Sequence, residues 1–268
     1  MTAALVYVYA VLAKPTAGDL TGINGRAVRW ITDSGLNLTA AVSDVPADEF
    51  GEEQLNEGVR NMAWLGPRAI AHQEVNYHLH ETAETLIPLA FGTVFRDDER
   101  VRQLLRERAP ELGQRLESVR GSAEWVVALH LLREPGPEVV ARSSPAVQVL
   151  RAEIESSAPG KAHLLRRRLA ALERDEARRL RDQAAEDTLA GLREVAADVY
   201  REALPADTVE RPLLRASVLV RRQDESRFLD EVDRLRARWP EPTYRLLLTG
   251  PWPPYRFGGI DMTGTNAA

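Results

Sequence analysis

Cysteine is absent from all 268 residues, which removes a disulfide framework, thiolate catalysis and any Cys-ligated zinc or iron–sulfur centre, and fits a cytoplasmic setting. Lysine is nearly absent: Lys14 and Lys161 are the only two among 35 cationic residues. The rest are arginine, and with the abundance of alanine this points to GC-rich coding as much as to guanidinium chemistry, so arginine number carries little functional weight. No apolar run is long enough to cross a bilayer. Residues 1–12 are apolar but lack a basic n-region and are broken by Lys14-Pro15, so they read as a buried strand rather than a signal peptide. Gly22-Ile23-Asn24-Gly25 lacks the lysine and helix entry of a phosphate loop, and no Gly-x-Ser-x-Gly elbow occurs. Carboxylates are plentiful but no pair is marked out. No catalytic, cofactor-binding or metal-ligating residue is assigned, and nothing supports an enzyme.

What is present is ordinary globular material: 44% hydrophobic and 28% charged residues predict a true core, in a length that suits two domains of about 130 residues. A net charge of −5 gives no global field to collect nucleic acid. The most distinctive stretch is Leu248-Thr249-Gly250-Pro251-Trp252-Pro253-Pro254-Tyr255-Arg256-Phe257, apolar and aromatic although near the C-terminus. Its three prolines predict an extended course that neither continues a central strand nor enters a helix. Its aromatics must cover a surface, either the protein's own core or a partner.

The first half reads as strands, then helices. After the opening strand, 27–31 and 36–42 flank Asp33-Ser34-Gly35 as a hairpin with glycine supplying positive φ. A short helix over 52–65 follows, and Pro67 opens the next, whose Val75, Leu79, Ala83 and Leu86 form an apolar face. Leu86 to Phe91 is a short extended element in which Pro88 argues for a sheet edge, and Gly92 turns the chain before Thr93-Val94-Phe95. Asp97 caps a helix carrying Val101, Leu104 and Leu105, and Pro110 begins another that ends near Gly121.

The second half opens with a buried strand over 124–132, closed by Pro135-Gly136-Pro137. Ser144-Pro145 starts a helix, and Pro159-Gly160 precedes the longest element, helical from Lys161 to about Leu204, near 60 Å with room for a bend or break at Gly191. Leu214, Ala216, Val218 and Val220 alternate as a strand; Phe228, Val232, Leu235 and Trp239 form a helical stripe; 244–248 is a closing strand. The order suggests a ferredoxin-like split βαβ arrangement with an enlarged first crossover. The fold class is α+β in two domains: 1–121, an N-terminal α+β domain; 122–257, a modified ferredoxin-like domain with long helices; and 258–268, a flexible tail with little to pack.

Two clusters invite chemistry and lose it to geometry. His78 and His80, two apart on a helix, point about 200° apart and cannot share a metal, so these histidines and His72 read as structural or solvated, with His78 near Glu74 and Glu81. Arg166-Arg167-Arg168, Arg174, Arg178-Arg179 and Arg181 are interleaved with Glu173, Asp175, Glu176 and Asp182, the spacing of local ion pairs on a solvated helix. A nucleic-acid groove would want an uninterrupted basic stripe and stacking aromatics, but no aromatic lies between Trp125 and Tyr200.

Four separated segments resemble the GvpL/GvpF family of gas vesicle proteins. Tyr7-Val8-Tyr9-Ala10-Val11 resembles its first strand; Leu86-Ile87-Pro88-Leu89-Ala90-Phe91-Gly92-Thr93-Val94-Phe95 its central LPLRFGTVF motif; Pro159-Gly160-Lys161-Ala162 its mid-helix signature; and Gly250-Pro251-Trp252-Pro253-Pro254-Tyr255-Arg256-Phe257 its C-terminal GPWPPYSF motif. Ala90 stands where the family commonly carries arginine, and Arg256 where it carries a small polar residue. The resemblance implies a two-domain α+β fold and a cytoplasmic, gas-vesicle-associated accessory or minor structural protein. Its implied partners are the small hydrophobic shell protein GvpA and other gas vesicle accessory proteins, with no nucleic acid, membrane or cofactor. It singles out Pro88, Phe91, Gly92, Phe95, Gly250, Pro251, Trp252, Pro254, Tyr255 and Phe257 as family-motif and candidate interaction residues. The competing reading is a ferredoxin-like module binding a ligand or nucleic acid through the Arg-rich helix.

Overall fold

The computed structural model describes residues 4–33, 35–204 and 211–260, the side chain of Arg211 excepted, so Ser34 of the expected turn and 261–268 of the expected tail lie outside the described residues. The chain divides into two compact units, 1–124 with 250–268, and 125–249. The second excursion of the chain is therefore inserted into the first unit. Gly250 to Phe257, expected with the second unit, belong to the first.

The first unit is organised on β1 (Ala4–Leu12), which is buried from Val6 onward because neighbours lie on both its edges and helices on both its faces. β2 (Arg29–Asp33) and β3 (Leu38–Pro46) form the expected hairpin, but the positive φ falls on Asn37, at 52°, and not on Gly35, whose N–H donates to Asp33 Oδ1 at 3.2 Å. Then come α1 (Ala47–Phe50), α2 (Glu52–Gly58) and α3 (Met62–Thr82). α3 starts five residues before Pro67, because Asn61 caps it by accepting Ala63 N–H at 3.0 Å. Trp64 packs so tightly on Gly58 that a Cβ there would lie 2.6 Å from its ring, which separates α2 from α3 where one helix over 52–65 was expected.

β4 (Leu86–Pro88) and β5 (Val94–Phe95) both pair antiparallel with β1, giving the order β2-β3-β1-β4 with β5 further along the same side of β1. Pro88 thus sits on the edge strand, as its missing donor requires. A register slip between Val8 and Ala10 shifts the alternation of β1. Val6, Val8 and Val11 face α4 (Asp98–Glu107) and α5 (Ala109–Ser118), whereas Tyr7, Tyr9, Ala10 and Leu12 face Phe50, Val75 and Leu79. Asp97 caps α4 as expected, accepting Arg100 N–H at 2.9 Å.

β6 (Ser122–Leu131) leads into the second unit, followed by α6 (Pro137–Ser143), α7 (Pro145–Ser156) and α8 (Pro159–Val195). α8 spans 37 residues, about 55 Å. It runs unbroken past Gly191, whose lack of a side chain admits Glu231: a Cβ there would meet Glu231 Oε1 at 2.6 Å. It stops earlier than expected, because Asp198 to Arg201 form β7, antiparallel to β8 (Arg211–Arg221). α9 (Glu225–Arg238) and β9 (Tyr244–Trp252) complete the unit's sheet, ordered β7-β8-β6-β9. The succession strand, helices, two strands, helix, strand is that of a split βαβ unit with an enlarged first crossover. Its core brings Trp125, Val127 and Leu129 together with Leu214, Ala216, Val218, Phe228, Val232 and Leu235.

α10 (Tyr255–Gly258) follows in the first unit. Pro253 and Pro254 delay this helical turn without preventing it, so the expectation of a wholly extended segment fails after Pro254. Ile260 is buried in the first unit's core beside Ile87, Leu89, Leu112 and Leu116, so the packed chain extends past the tail boundary expected at 258.

Candidate protein-docking surface

The motif over 86–95 is an interrupted strand laid along β1. Leu86 to Pro88 pair with Ala10 to Leu12, Leu89 N–H donates to Tyr9 O at 2.8 Å, Val8 N–H donates to Thr93 O at 2.9 Å, and Val94-Phe95 resume the pairing. Between them Ala90 to Gly92 bulge outward. Gly92 adopts φ 86°, its N–H donates to the Tyr7 hydroxyl at 3.1 Å, and an added Cβ would press Leu55 Cδ2 at 3.0 Å. Phe95 is a core residue. Phe91 is half-buried, edge-on to Tyr7, Trp64 and His72 with centroids 5.8–6.3 Å apart, and Ala90 is exposed.

Beneath this bulge lies a buried polar knot. Tyr7 Oη is 2.9 Å from His72 Nδ1, and Asn76 Nδ2 is 3.0 Å from His72 Nε2. Burial outweighs a backbone hydrogen bond to Leu89 and drives the imidazole pKa down to about 4, so His72 is neutral at physiological pH. Burial likewise raises the Tyr7 phenol pKa. His72 is therefore structural, and no cluster of three or more metal-ligating side chains occurs among the described residues. His78 and its neighbours Glu74 and Glu81 make no ion pair with one another.

The C-terminal motif arrives at the same place. Gly250 adopts φ 131° and the Gly250-Pro251 bond is cis. Pro253 and Pro254 are buried, and the Tyr255 hydroxyl donates to Gln73 Oε1 of α3 at 2.9 Å, its pKa pushed up to about 12 mainly by burial. Arg256 N–H donates to the buried carboxylate of Glu124 at 2.7 Å. Phe257 is half-buried, its carbonyl reached by Arg115 at 3.4 Å. A Cβ added at Gly258 would lie 3.5 Å from Pro88 Cδ, so the turn over 255–258 packs against the β4 edge that the sequence offered to a partner. Of the ten motif residues, Pro88, Gly92, Phe95 and Pro254 are internal, Phe91, Gly250, Pro251, Tyr255 and Phe257 are half-buried, and Trp252 is exposed.

The two motifs, whose nearest residues Phe95 and Gly250 are 155 positions apart, thus converge on α3. Ala69, His72, Gln73, Leu89, Ala90, Phe91 and Tyr255 line one shallow depression. A second, of about 460 Å³, is lined by Ile70, Gln73, Glu74, Tyr77, His78, Glu81 and Trp252. Gln73, Glu124 and Asn61 were missed in the sequence. Only Asn61, a capping residue ahead of a helical run, left a local signal. In the second unit, Arg179 pairs with Glu176 at 2.7 Å, the local pairing expected on α8, whereas Glu173 pairs with Arg151 of α7 at 2.8 Å and Arg181 with Glu134 before α6 at 3.0 Å.

These features define a two-unit α+β protein whose most distinctive surface is apolar and aromatic. The family model of the gas vesicle synthesis proteins GvpL/GvpF matches residues 5–258, and the chain belongs to that family. It is 34% identical over 272 residues to gas vesicle protein L of a Streptomyces species, covering 96% of this chain and 93% of that protein. It is 28% identical to gas vesicle protein L2 of Halobacterium salinarum, covering 94% and 90%. Among solved structures it is similar to gas vesicle protein GvpF from Anabaena sp. PCC7120, with TM-score 0.69 and 18% identity over 96% of this chain and 99% of that one. GvpF from Microcystis aeruginosa gives TM-score 0.63 at 18% identity, over 97% and 100%. No described helix is long and apolar enough to cross a membrane.

Proposed function

We propose that this protein is an accessory or minor structural component of gas vesicle assembly that binds the small hydrophobic shell protein GvpA, in the cytoplasm and on the vesicle. The observation that carries the reading is the convergence of both family motifs on α3, where Ile70, Tyr77 and Trp252 stay exposed. A shell subunit must present a dry apolar surface after assembly, and before assembly that surface and its strand edges drive aggregation. A protein that covers them transiently and then releases the subunit would keep it available to the growing shell.

The test is co-expression of the full chain with its cognate shell protein, capture of the complex, and repetition with Trp252→Ala. Capture by the wild type that falls in the folded variant supports the reading. No capture by the wild type overturns direct shell binding, and salt-sensitive capture of RNA lost on replacing the α8 arginines would support the nucleic-acid reading instead.

A further inference from the structure

α3 is unusual for a helix with one solvated face. Val75 and Leu79 point inward, yet Ile70 is 61% and Tyr77 44% exposed on the other side, where a surface helix ordinarily carries polar residues. Ile70 and Tyr77 are seven residues apart, two turns, and so share one face. Trp252, 39% exposed, forms the opposite wall of the groove they line.

Glu74 and Glu81, also seven apart, border that groove, and neither makes an ion pair or a side-chain hydrogen bond among the described residues. Several other carboxylates of the same unit are answered by arginine: Asp44 and Asp98 by Arg29, Glu49 by Arg68, Asp33 by Arg106 and Glu84 by Arg120. The groove is thus apolar along its floor and carries two unanswered negative charges at its rim.

The backbone bordering it excludes one mode of recognition. α3 satisfies its amides internally, and Pro251, Pro253 and Pro254 remove the donors on both sides of Trp252, the last residue of β9, so at the groove a partner strand would find little ladder to extend. Side-chain packing remains. From Ile70 to Tyr77 is about 10 Å along the axis, two turns of a facing helix.

We infer that this groove docks an amphipathic helix of a partner protein. Apolar side chains at i, i+3 or i+4 and i+7 seat between Ile70, Tyr77 and Trp252, and lysine or arginine residues flanking them face Glu74 and Glu81. The inference deepens the assembly reading by naming the chemistry of the bound element.

The test uses the full-length protein and a designed helical peptide of about 18 residues, leucine on one face and lysine along its flanks, with a glutamate-flanked counterpart. The wild type should bind the lysine form at least about tenfold more tightly, a difference that shrinks with salt. Glu74→Lys/Glu81→Lys should invert the preference, and Tyr77→Ala/Trp252→Ala should lose both peptides while circular dichroism shows both variants folded. No preference in the wild type, or binding indifferent to both variants, overturns the inference. Because the peptide is not a vesicle protein, this outcome is independent of the shell-protein capture: the groove can fail while capture persists, and capture can fail while the groove binds.

Discussion

The Tyr255 hydroxyl donates to Gln73 Oε1 across 2.9 Å, joining residues 182 positions apart. It ties the C-terminal motif to the outer part of α3 and sets the position of Trp252, three residues earlier, beside Tyr77. Tyr255→Phe removes one partly buried hydrogen bond and should cost about 1 kcal/mol of unfolding free energy in a urea titration. The larger expected effect is local: amides of 255–258 should exchange faster with solvent. Unchanged protection there would show that the bond does not hold the turn.

Glu124 and Arg256 supply a second tie. The buried carboxylate accepts the Arg256 amide within the first turn of α10, where helix donors have no intrahelical partner. Glu124→Ala should destabilise the first unit by about 1–3 kcal/mol and expose the chain after Pro254 to limited proteolysis. Resistance equal to the wild type would refute this.

Ile260 carries the core of the first unit past position 258. It is buried among Ile87, Leu89, Leu112 and Leu116, so Ile260→Ala should cost about 2–4 kcal/mol, as a core truncation does. A solvated tail would give a change within about 0.5 kcal/mol.

Gly92→Ala tests the central motif. An alanine at φ 86° is strained and its Cβ would press Leu55, so a loss of about 1–3 kcal/mol is expected, read from the denaturation midpoint at unchanged slope. Leu55→Ala in the same chain should recover the clash but not the backbone strain.

The legible parts of this fold were those where one residue type has one physical use. Asp97 before a helical run, Pro88 in a short apolar strand, and the alternation of Leu214, Ala216, Val218 and Val220 each appear in place. Misreadings arose where tertiary packing overrode a local rule. Pro67 lies inside α3 because Asn61 caps an earlier start, and β7 was absorbed into the long helix because Asp198 to Arg201 is too short to show a period. The proposed docking surface was half visible: the aromatic motif announced a covered surface, but which of its residues would cover the core and which would remain outside depends on Gln73 and Glu124, remote partners with no local signature. Within that segment Pro253 and Pro254 lie inside and Trp252 outside.

His72 gives the fold a defined acid dependence. Its imidazole has a pKa of about 4 in the native state against 6.5 for a free histidine, because burial beside Tyr7 and Asn76 disfavours the charged form. Between those two values the unfolded chain binds a proton that the native chain does not, so stability falls as pH drops from about 6.5 to about 4. The contribution is complete above the unfolded value, and the total loss is on the order of 3 kcal/mol. Over pH 6.5 to 5.5 most carboxylates remain ionised, so a drop in unfolding free energy there reports chiefly on buried histidine. His72→Gln should be less stable than the wild type at neutral pH and show a flatter slope across this interval. In a proton NMR titration, the imidazole resonance that disappears in the variant should not shift until the pH is well below 5. A His72 resonance titrating near 6.5 would mean that the ring is solvated and that the packing beneath Phe91 is looser than the 2.9 Å contact with Tyr7 implies.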